Sequence, residues 1–164
     1  MNSFKKTQDR VEIVGFRHTG LVVKDLLASL AFYETFLGLK VLQRHKDNSE
    51  YISEVTGFEK IIADYAKLEI PGGQVLELLS YPSHVFSTKE RILIEPGEAH
   101  LAFQVASIDV AFTAITAANI PHISKPVTSS EKIAKVFFCL DPDNYRIEFV
   151  EMLTETYSWN PNNG

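Results

Sequence analysis

The sequence predicts an α+β fold in which two β-α-β-β-β modules follow each other along the chain. Each half opens with a short apolar, strand-like run that contains a histidine, His18 in the first half and His100 in the second. A run of apolar residues at helical spacing follows each of these strands. Each half then closes with an apolar strand that contains a glutamate, Glu77 or Glu148. The same order of features in both halves indicates an internal repeat.

The spacing between equivalent features supports the repeat. Gly38 follows the first histidine by 20 residues, and Asn119 follows the second by 19. Glycine and asparagine are the residues that most readily adopt the left-handed backbone at which helices end. The glutamates follow their histidines by 59 and 48 residues, so the repeat is looser beyond the helix. We assign the extra length of the first half to the polar stretch 43–61.

The first module is predicted to place one major helix after its first strand. Asp25 is a good helix N-cap, because its side chain can accept hydrogen bonds from the first free backbone N–H groups. The helix 26–37 carries a single apolar stripe. The sequence Pro71-Gly72-Gly73 predicts a turn between two paired strands. We expect the strands of this module at 14–23, 39–42, 62–70 and 74–80.

The second module repeats this order. Ser107 takes the place of Asp25 as an N-cap, and the helix 108–118 follows it. The residues Asp-Pro-Asp-Asn at 141–144 predict the turn of a hairpin. We expect the strands of this module at 99–105, 120–124, 135–140 and 145–152.

The stretch between the halves reads as a linker, because it is polar and contains Pro82 and Pro96. Both chain ends are also polar. We therefore predict an N-terminal lead-in at 1–12, the first module at 13–80, a linker at 81–97, the second module at 98–153 and a C-terminal tail at 154–164.

Composition and charge exclude several classes of function. Hydrophobic residues make up 45% of the chain and charged residues 23%, which is ordinary for a globular protein. The net charge of −5 argues against binding to nucleic acid or to an anionic membrane, since both need a basic surface. Cys139 is the single cysteine, so the chain has no internal disulfide, and we expect a cytoplasmic protein that acts on a small molecule.

Strand alternation places the histidines and glutamates on one side of their sheets. Alternate residues of a strand face opposite sides, and the bulkier set in each strand is expected to pack against the helix. His18, His100, Glu77 and Glu148 all belong to the other set. If the two sheets curve together, this open side becomes a lined cleft.

A divalent metal ion would explain carboxylates in such a cleft. A buried carboxylate is costly unless it is paired or bound to metal, and two neighbouring carboxylates repel each other. Imidazole nitrogens and carboxylate oxygens together suit Zn, Ni, Co, Mn or Fe(II). Open positions on the ion would let it polarise a substrate carbonyl and stabilise an enolate.

Other candidate residues have less support from the pattern. Cys139 is expected in the core, because nothing in the sequence marks it as a nucleophile. Tyr51 and Glu54, in the stretch 43–61, could line the cleft. Three further histidines are expected at the surface: His45, His84 and His122.

Several motifs, taken together, resemble the vicinal oxygen chelate superfamily, which includes glyoxalase I, extradiol dioxygenases and bleomycin resistance proteins. The resemblance covers about residues 14–152. It rests on HTGLVVKDL from His18, FYETFLGL from Phe32, VLELL from Val75, AHLAF from Ala99 and DPDNYRIE from Asp141.

This resemblance implies two βαβββ modules that form a curved mixed sheet around a central metal cleft. It also implies that one divalent metal ion binds to His18, Glu77, His100 and Glu148. The full set of two histidines and two glutamates is typical of glyoxalase I-like members. The implied function is a metal-dependent lyase or isomerase of a small carbonyl substrate with vicinal oxygens, in which Glu148 or Glu77 abstracts a proton.

Two other functions remain open. A non-haem Fe(II) extradiol-type dioxygenase would use His18, His100 and Glu148, and would not need Glu77. A drug-sequestering protein would bind a small molecule without turnover. We also expect a homodimer, because modules of this kind expose sheet edges that need covering. The pattern leaves open whether the modules pair within one chain or between chains.

Overall fold

A computed structural model describes residues 11–85 and 96–154 of the chain. The described residues form two four-stranded mixed sheets with three α-helices, one of which continues as a π-helix. The elements are β1 (Thr19–Val22), α1 (Leu26–Leu30), the π-helical segment (Ala31–Phe36), β2 (Lys40–Asp47), α2 (Glu50–Thr56), β3 (Ala63–Glu69), β4 (Val75–Ser80), β5 (His100–Gln104), α3 (Ile108–Ala117), β6 (Val127–Thr128), β7 (Ala134–Leu140) and β8 (Arg146–Met152).

The two sheets have the same topology, which confirms the predicted α+β fold and its two similar modules. The strand orders are β1-β4-β3-β2 and β5-β8-β7-β6. In each sheet the first strand pairs in parallel with the last strand of its module, and the other pairings are antiparallel. In the first module the helix returns the chain so that β2 runs parallel to β1, and the two antiparallel pairings that follow make β4 parallel to both.

The first helix begins as predicted but does not stay α-helical. The Asp25 carboxylate accepts hydrogen bonds from the backbone N–H groups of Leu27 and Ala28, so α1 begins at a capped end. From Ala31 the chain widens into the π-helical segment, in which the neighbouring rings of Phe32 and Tyr33 are both buried. The predicted single α-helix over 26–37 is therefore wrong in its second half.

Both predicted helix ends are confirmed. Gly38 has a φ of 77° and Asn119 a φ of 53°, which is the left-handed conformation in each case. After Gly38, the N–H of Leu39 donates to the carbonyl oxygen of Tyr33 and satisfies one of the free carbonyls. Ser107 caps α3 through a hydrogen bond of 3.4 Å from the N–H of Val110.

Three local predictions need correction. The predicted strand 14–23 is shorter, because only Thr19–Val22 pairs with β4. The predicted strand 120–124 is limited to one bridge, between His122 and Cys139, and the edge strand β6 lies further along. The stretch 43–61 contains the end of β2 and the helix α2. This short helix becomes stable through the burial of Ile52, which a local sequence pattern does not reveal.

One hydrophobic core joins the two modules. Buried side chains from α1 and β4 of the first module belong to the same cluster as those from α3, β7 and β8 of the second. The hydroxyl of Tyr33 donates a hydrogen bond of 2.8 Å to Asp141, across the two modules. Cys139 is fully buried, as predicted.

The predicted module boundaries stay predictions. The lead-in 1–12 and the tail 154–164 lie largely outside the described residues, as does most of the linker 81–97. In the part of the chain that the structure describes, no helix has the length and apolar character needed to cross a membrane.

Candidate metal centre

The first half-site is the pair His18 and Glu77. His18 lies directly before β1, and its Nε2 is 3.1 Å from Oε2 of Glu77 on β4. The parallel pairing of β1 with β4 sets this distance, because Glu77 lies opposite Gly20, two residues after the histidine. The glutamate side chain is only 12% exposed, so the imidazole is a close polar partner for a largely buried carboxylate.

The second half-site repeats this geometry. Nε2 of His100 on β5 is 3.1 Å from Oε2 of Glu148 on β8. Glu148 lies opposite Ala102, again two residues after the histidine. The two His–Glu pairs thus occupy equivalent positions in two equivalent sheets, as the internal repeat predicts.

Both pairs lie on the side of the sheet that faces away from the helices. In β1 the exposed fraction falls to 8% at Leu21, whereas the next residue, Val22, is 47% exposed. In the second module the buried residues Ile147 and Phe149 flank Glu148. The alternation expected from the sequence therefore holds at both half-sites.

The structure of a single chain does not bring the four predicted ligands together. Among residues 11–85 and 96–154, no three or more His, Cys, Asp or Glu side chains gather closely enough to hold a metal ion. The His18–Glu77 pair lies in one sheet and the His100–Glu148 pair in the other. The assignment of all four residues to one metal ion stays a prediction.

The half-sites differ in the residue beside each glutamate. Lys67 lies opposite Glu77 on β3, and its Nζ is 3.4 Å from Oε1 of Glu77. At the equivalent place on β7, Phe138 lies opposite Glu148, and its ring packs edge-on at 5.6 Å from that of His100. The first half-site is therefore more polar than the second.

A second cation lies near the His100–Glu148 pair. Arg146 is opposite His100 in the β5–β8 pairing, and its guanidinium carbon is 5.9 Å from the centre of the Phe138 ring. Its Nε is buried and has no hydrogen-bond partner among the described residues. Neither Lys67 nor Arg146 was predicted as a site residue, because β3 and β8 carry other charged side chains as well, among them Asp64 and Glu151.

Three cavities lie near the β1 strand. One, of about 560 Å³, opens between the modules, where Thr19, Leu101 and Phe103 contribute to its wall; none of its lining residues is ionisable. A second, of about 380 Å³, includes Val22, on the same face of β1 as Gly20. The third, of about 220 Å³, lies at the first half-site itself, because His18 and Lys67 both line it.

The remaining candidates have structural surroundings of their own. Tyr51 is 64% exposed and Glu54 is also exposed, both on α2 and outside the lining of the 380 Å³ cavity. His84 lines that cavity, and His45 and His122 are exposed, the latter packed edge-on against Phe112. Burial raises the pKa of the Cys139 thiol to about 12, which keeps the thiol protonated and unreactive.

A profile of the Glyoxalase/Bleomycin resistance protein/Dioxygenase superfamily matches residues 15–149. The chain belongs to this superfamily. The match spans both modules and both His–Glu pairs, and it confirms the resemblance seen in the sequence motifs.

Individual proteins and structures resemble this chain at low sequence identity, between 19% and 28%. Lactoylglutathione lyase from Schizosaccharomyces pombe is 28% identical over 155 residues, which are 91% of this chain and 49% of that protein. The chain thus spans about half the length of this relative. The crystal structure of a glyoxalase family protein from Bacillus cereus superposes with a TM-score of 0.79 at 19% identity and covers 90% of this chain and 100% of that one.

A further similar structure contains a metal ion. The fosfomycin resistance protein FosX from Listeria monocytogenes, complexed with Mn(II) and sulfate ion, superposes with a TM-score of 0.59 at 20% identity. The match covers 88% of this chain and 97% of that one. At these identities the superpositions show a shared fold.

Proposed function

We propose that the protein is a metal-dependent lyase or isomerase that acts on a small carbonyl substrate with vicinal oxygens. The observation that carries this proposal is the presence of two His–Glu pairs in the same strand register. A structural role for one strand histidine is common, but it does not explain why the second module repeats both residues at the same offset. Membership in the superfamily and the similarity to lactoylglutathione lyase support the same function.

The donor set fits a divalent metal ion. Each pair offers an imidazole nitrogen and a carboxylate oxygen 3.1 Å apart on an open face, and Zn, Ni, Co, Mn and Fe(II) accept this mixture. The residues that would hold the ion are His18, Glu77, His100 and Glu148. A bound ion would polarise the carbonyl oxygen of the substrate. The Mn(II) in the FosX structure supports a divalent metal in this fold.

We propose further that a second copy of the chain completes each site. His18 and Glu77 of one subunit would face His100 and Glu148 of the partner subunit, so that a homodimer contains two sites. An exposed apolar segment next to His18 supports a covered surface there, because contiguous apolar surface marks contact regions. The exposed fractions of Val11, Ile13, Val14 and Phe16 are between 78% and 94%.

The neighbours of the two glutamates suggest different roles for them. Lys67 and His18 both contact the Glu77 carboxylate, which fixes its position and favours a role as a ligand. Glu148 has Phe138 in the place of Lys67 and is more exposed, at 20%. We assign to Glu148 the removal of a proton from the carbon beside the carbonyl, and its return to the neighbouring carbon.

Metal analysis of the purified protein tests the site directly. We expect about one divalent ion per chain, because each chain carries two half-sites and each site needs two. His18→Ala and His100→Ala should each lose most of this bound metal. His45→Ala is the matched control, because His45 is exposed and lies outside both pairs. Full metal content in both site variants would refute the metal centre.

Proton exchange tests the chemistry. The metal-loaded protein should exchange the hydrogen beside the carbonyl of lactoylglutathione or hydroxyacetone with solvent deuterium, followed by NMR in D₂O. Glu148→Gln should retain the metal and lose exchange by at least about a hundredfold, the usual contribution of a general base. A Glu148→Gln protein that exchanges at the wild-type rate would contradict the assigned role.

A further inference from the structure

We infer that Lys67 is a second catalytic residue of the site. Its ammonium group stabilises the negative charge that forms on the carbonyl oxygen of the substrate when Glu148 removes the proton. This inference rests on the proposed function and adds to its chemistry a residue that is not a metal ligand. It concerns the reacting oxygen atom, whatever substituents the substrate carries.

Lys67 lies on the open face of the first sheet, beside both residues of the first half-site. It is opposite Glu77 in the β3–β4 pairing, and Glu77 is opposite Gly20, two residues after His18. Residues directly opposite each other in a sheet point to the same side. The ammonium group therefore lies on the side of the sheet at which the proposed chelating substrate would bind.

The ammonium group of Lys67 is held in a defined position. Its Nζ is 3.4 Å from Oε1 of Glu77, whereas Nε2 of His18 is 3.1 Å from the other oxygen, Oε2. Nζ also lies 5.7 Å from the centre of the Tyr65 ring. The lysine side chain is only 24% exposed. A charge that is placed in advance needs no reorganisation during the reaction, which is the condition for strong electrostatic catalysis.

The 220 Å³ cavity gives a small molecule access to this ammonium group. Its lining consists of Arg17, His18, Leu42, Gln43, Lys67 and Val75. Among the described residues, no aspartate or glutamate belongs to this lining. A protein cavity of about 150 Å³ already holds benzene, so this one has room for the chelating oxygens of a small substrate. A substrate oxygen in the cavity can therefore contact Lys67 while it lies beside His18.

The proposed reaction moves one negative charge toward Lys67. The proton passes from carbon to Glu148, which becomes neutral, and the electron pair of the C–H bond moves onto the carbonyl oxygen. The charges of Glu77 and Glu148 would be balanced by a divalent ion before this step, so the charge of Lys67 is an addition to the site. An oxyanion beside a partly buried cation is stabilised more strongly than in water.

The second half-site has no cation in the equivalent position. Phe138 lies opposite Glu148, and an aromatic ring offers that carboxylate no counter-charge. Arg146 lies over the Phe138 ring, with its guanidinium carbon at 5.9 Å, and does not line the 220 Å³ cavity. The two half-sites therefore have different roles, because Glu148 accepts the proton and Lys67 faces the charge that the proton leaves behind.

Three substitutions separate the charge of Lys67 from its contact with Glu77. Lys67→Gln keeps a hydrogen-bond donor for Glu77 without the charge, and Lys67→Arg keeps the charge. Lys40→Met is the matched control, because it breaks another cross-strand pair of the same sheet, Lys40–Glu69 at 3.8 Å, and Lys40 is 75% exposed. Elemental analysis comes first, and all three variants should contain as much metal as the wild type.

Exchange of the hydrogens of hydroxyacetone with solvent deuterium measures catalysis. We expect Lys67→Gln to lower the maximal rate by about a hundredfold, the usual cost of removing one group that stabilises an oxyanion, with little change in KM. Lys67→Arg should lose less than about tenfold, because it keeps the positive charge. Lys40→Met should exchange like the wild type. An unchanged rate in Lys67→Gln would overturn the inference and leave the metal function intact.

Binding of acetohydroxamate gives a readout that does not depend on turnover. Its anion carries negative charge on two adjacent oxygens, as the reaction intermediate does, whereas hydroxyacetone is neutral. In calorimetry with the Mn(II)-loaded protein, we expect Lys67→Gln to weaken acetohydroxamate by at least about tenfold, the loss of one hydrogen bond to a charged group, and hydroxyacetone much less.

Two further results would overturn the inference. Equal weakening of both ligands, or loss of the metal from Lys67→Gln, would mean that Lys67 only positions Glu77. A wild-type protein that binds metal but exchanges no hydrogen of the substrate would refute the proposed function, and the inference with it.

Discussion

Asp141 is a buried carboxylate that several hydrogen bonds hold in place, and it lies outside both His–Glu pairs. It is 4% exposed, and its carboxylate accepts hydrogen bonds from the Tyr33 hydroxyl and from the backbone N–H groups of Asp143 and Tyr145. Burial raises the pKa of Asp141 above its ordinary value, and these hydrogen bonds oppose the rise only in part. The carboxylate both closes the β7–β8 turn and joins the two modules.

The raised pKa of Asp141 predicts a pH-dependent stability. Between the ordinary pKa and the raised one, the folded protein binds more protons than the unfolded chain, so this residue makes the free energy of unfolding fall as pH rises. We expect Asp141→Asn to remove this slope, as seen by urea unfolding between pH 4 and 7. Asp47, whose pKa is lowered by hydrogen bonds from Ser49, contributes equally to both proteins and cancels in the difference. Identical pH profiles would show that the assignment is wrong.

Tyr33→Phe tests the hydrogen bond between the modules. The variant leaves a buried carboxylate oxygen without its donor, and we expect the free energy of unfolding to fall by about 1–3 kcal/mol. Because this hydrogen bond lowers the pKa of Asp141, its loss should raise that pKa further and steepen the decline of stability with pH. Tyr51→Phe, at an exposed position, is the control and should unfold like the wild type.

At the scale of single residues, the sequence predicts which side of a sheet a side chain faces, but not which other side chains it contacts. Strand alternation correctly put His18 and Glu148 on the open face. It did not place Lys67 beside Glu77 or Phe138 beside Glu148, because these contacts depend on the register of β3 and β7. Register is a property of strand pairs, and a single strand sequence does not contain it.

At the scale of elements, the cap of α1 is a clear test of local structure. Asp25 accepts two backbone hydrogen bonds, of 2.8 and 3.2 Å, whereas Ser107 accepts one of 3.4 Å. We expect Asp25→Ala to lower the free energy of unfolding by about 1 kcal/mol, and Ser107→Ala by less. Asp25→Asn should retain most of the stability. Equal losses for both alanine variants would contradict the geometry.

Elements with strong local signals were predicted, and those that depend on packing were not. The β3–β4 and β7–β8 pairs and the capped start of α3 follow from turn and cap residues that act within a few positions. The helix α2 and the π-helical segment depend on where Ile52 and the ring of Phe32 are buried. Such tertiary effects override weak intrinsic preferences.

At the scale of the whole molecule, the shared sites can be tested by complementation. If each site contains ligands from two subunits, His18→Ala and His100→Ala proteins should each be inactive. After mixing and subunit exchange, half of the dimers are mixed and each has one intact site, so roughly a quarter of the metal sites and of the proton exchange should return. If subunit exchange is demonstrated and neither metal sites nor proton exchange return, each site lies within one chain.

The repeat was predictable from the sequence, but the relative position of the modules was not. The spacing of His18, Gly38, His100 and Asn119 is a local property of each half. The contact between Tyr33 and Asp141 joins residues 108 positions apart, and no periodicity encodes it. For the same reason, the sequence did not reveal that the two ligand pairs stay apart within one chain.

The register shared by the two sheets has a consequence for how such a protein arises. Since the distance between each histidine and its glutamate depends only on pairing within one βαβββ module, a single module carries a complete half-site. An ancestral gene for one module would already encode the ligand pair as a heritable unit. The flanking positions can then differ between the modules, as Lys67 and Phe138 do here, without changing the distance between the histidine and the glutamate.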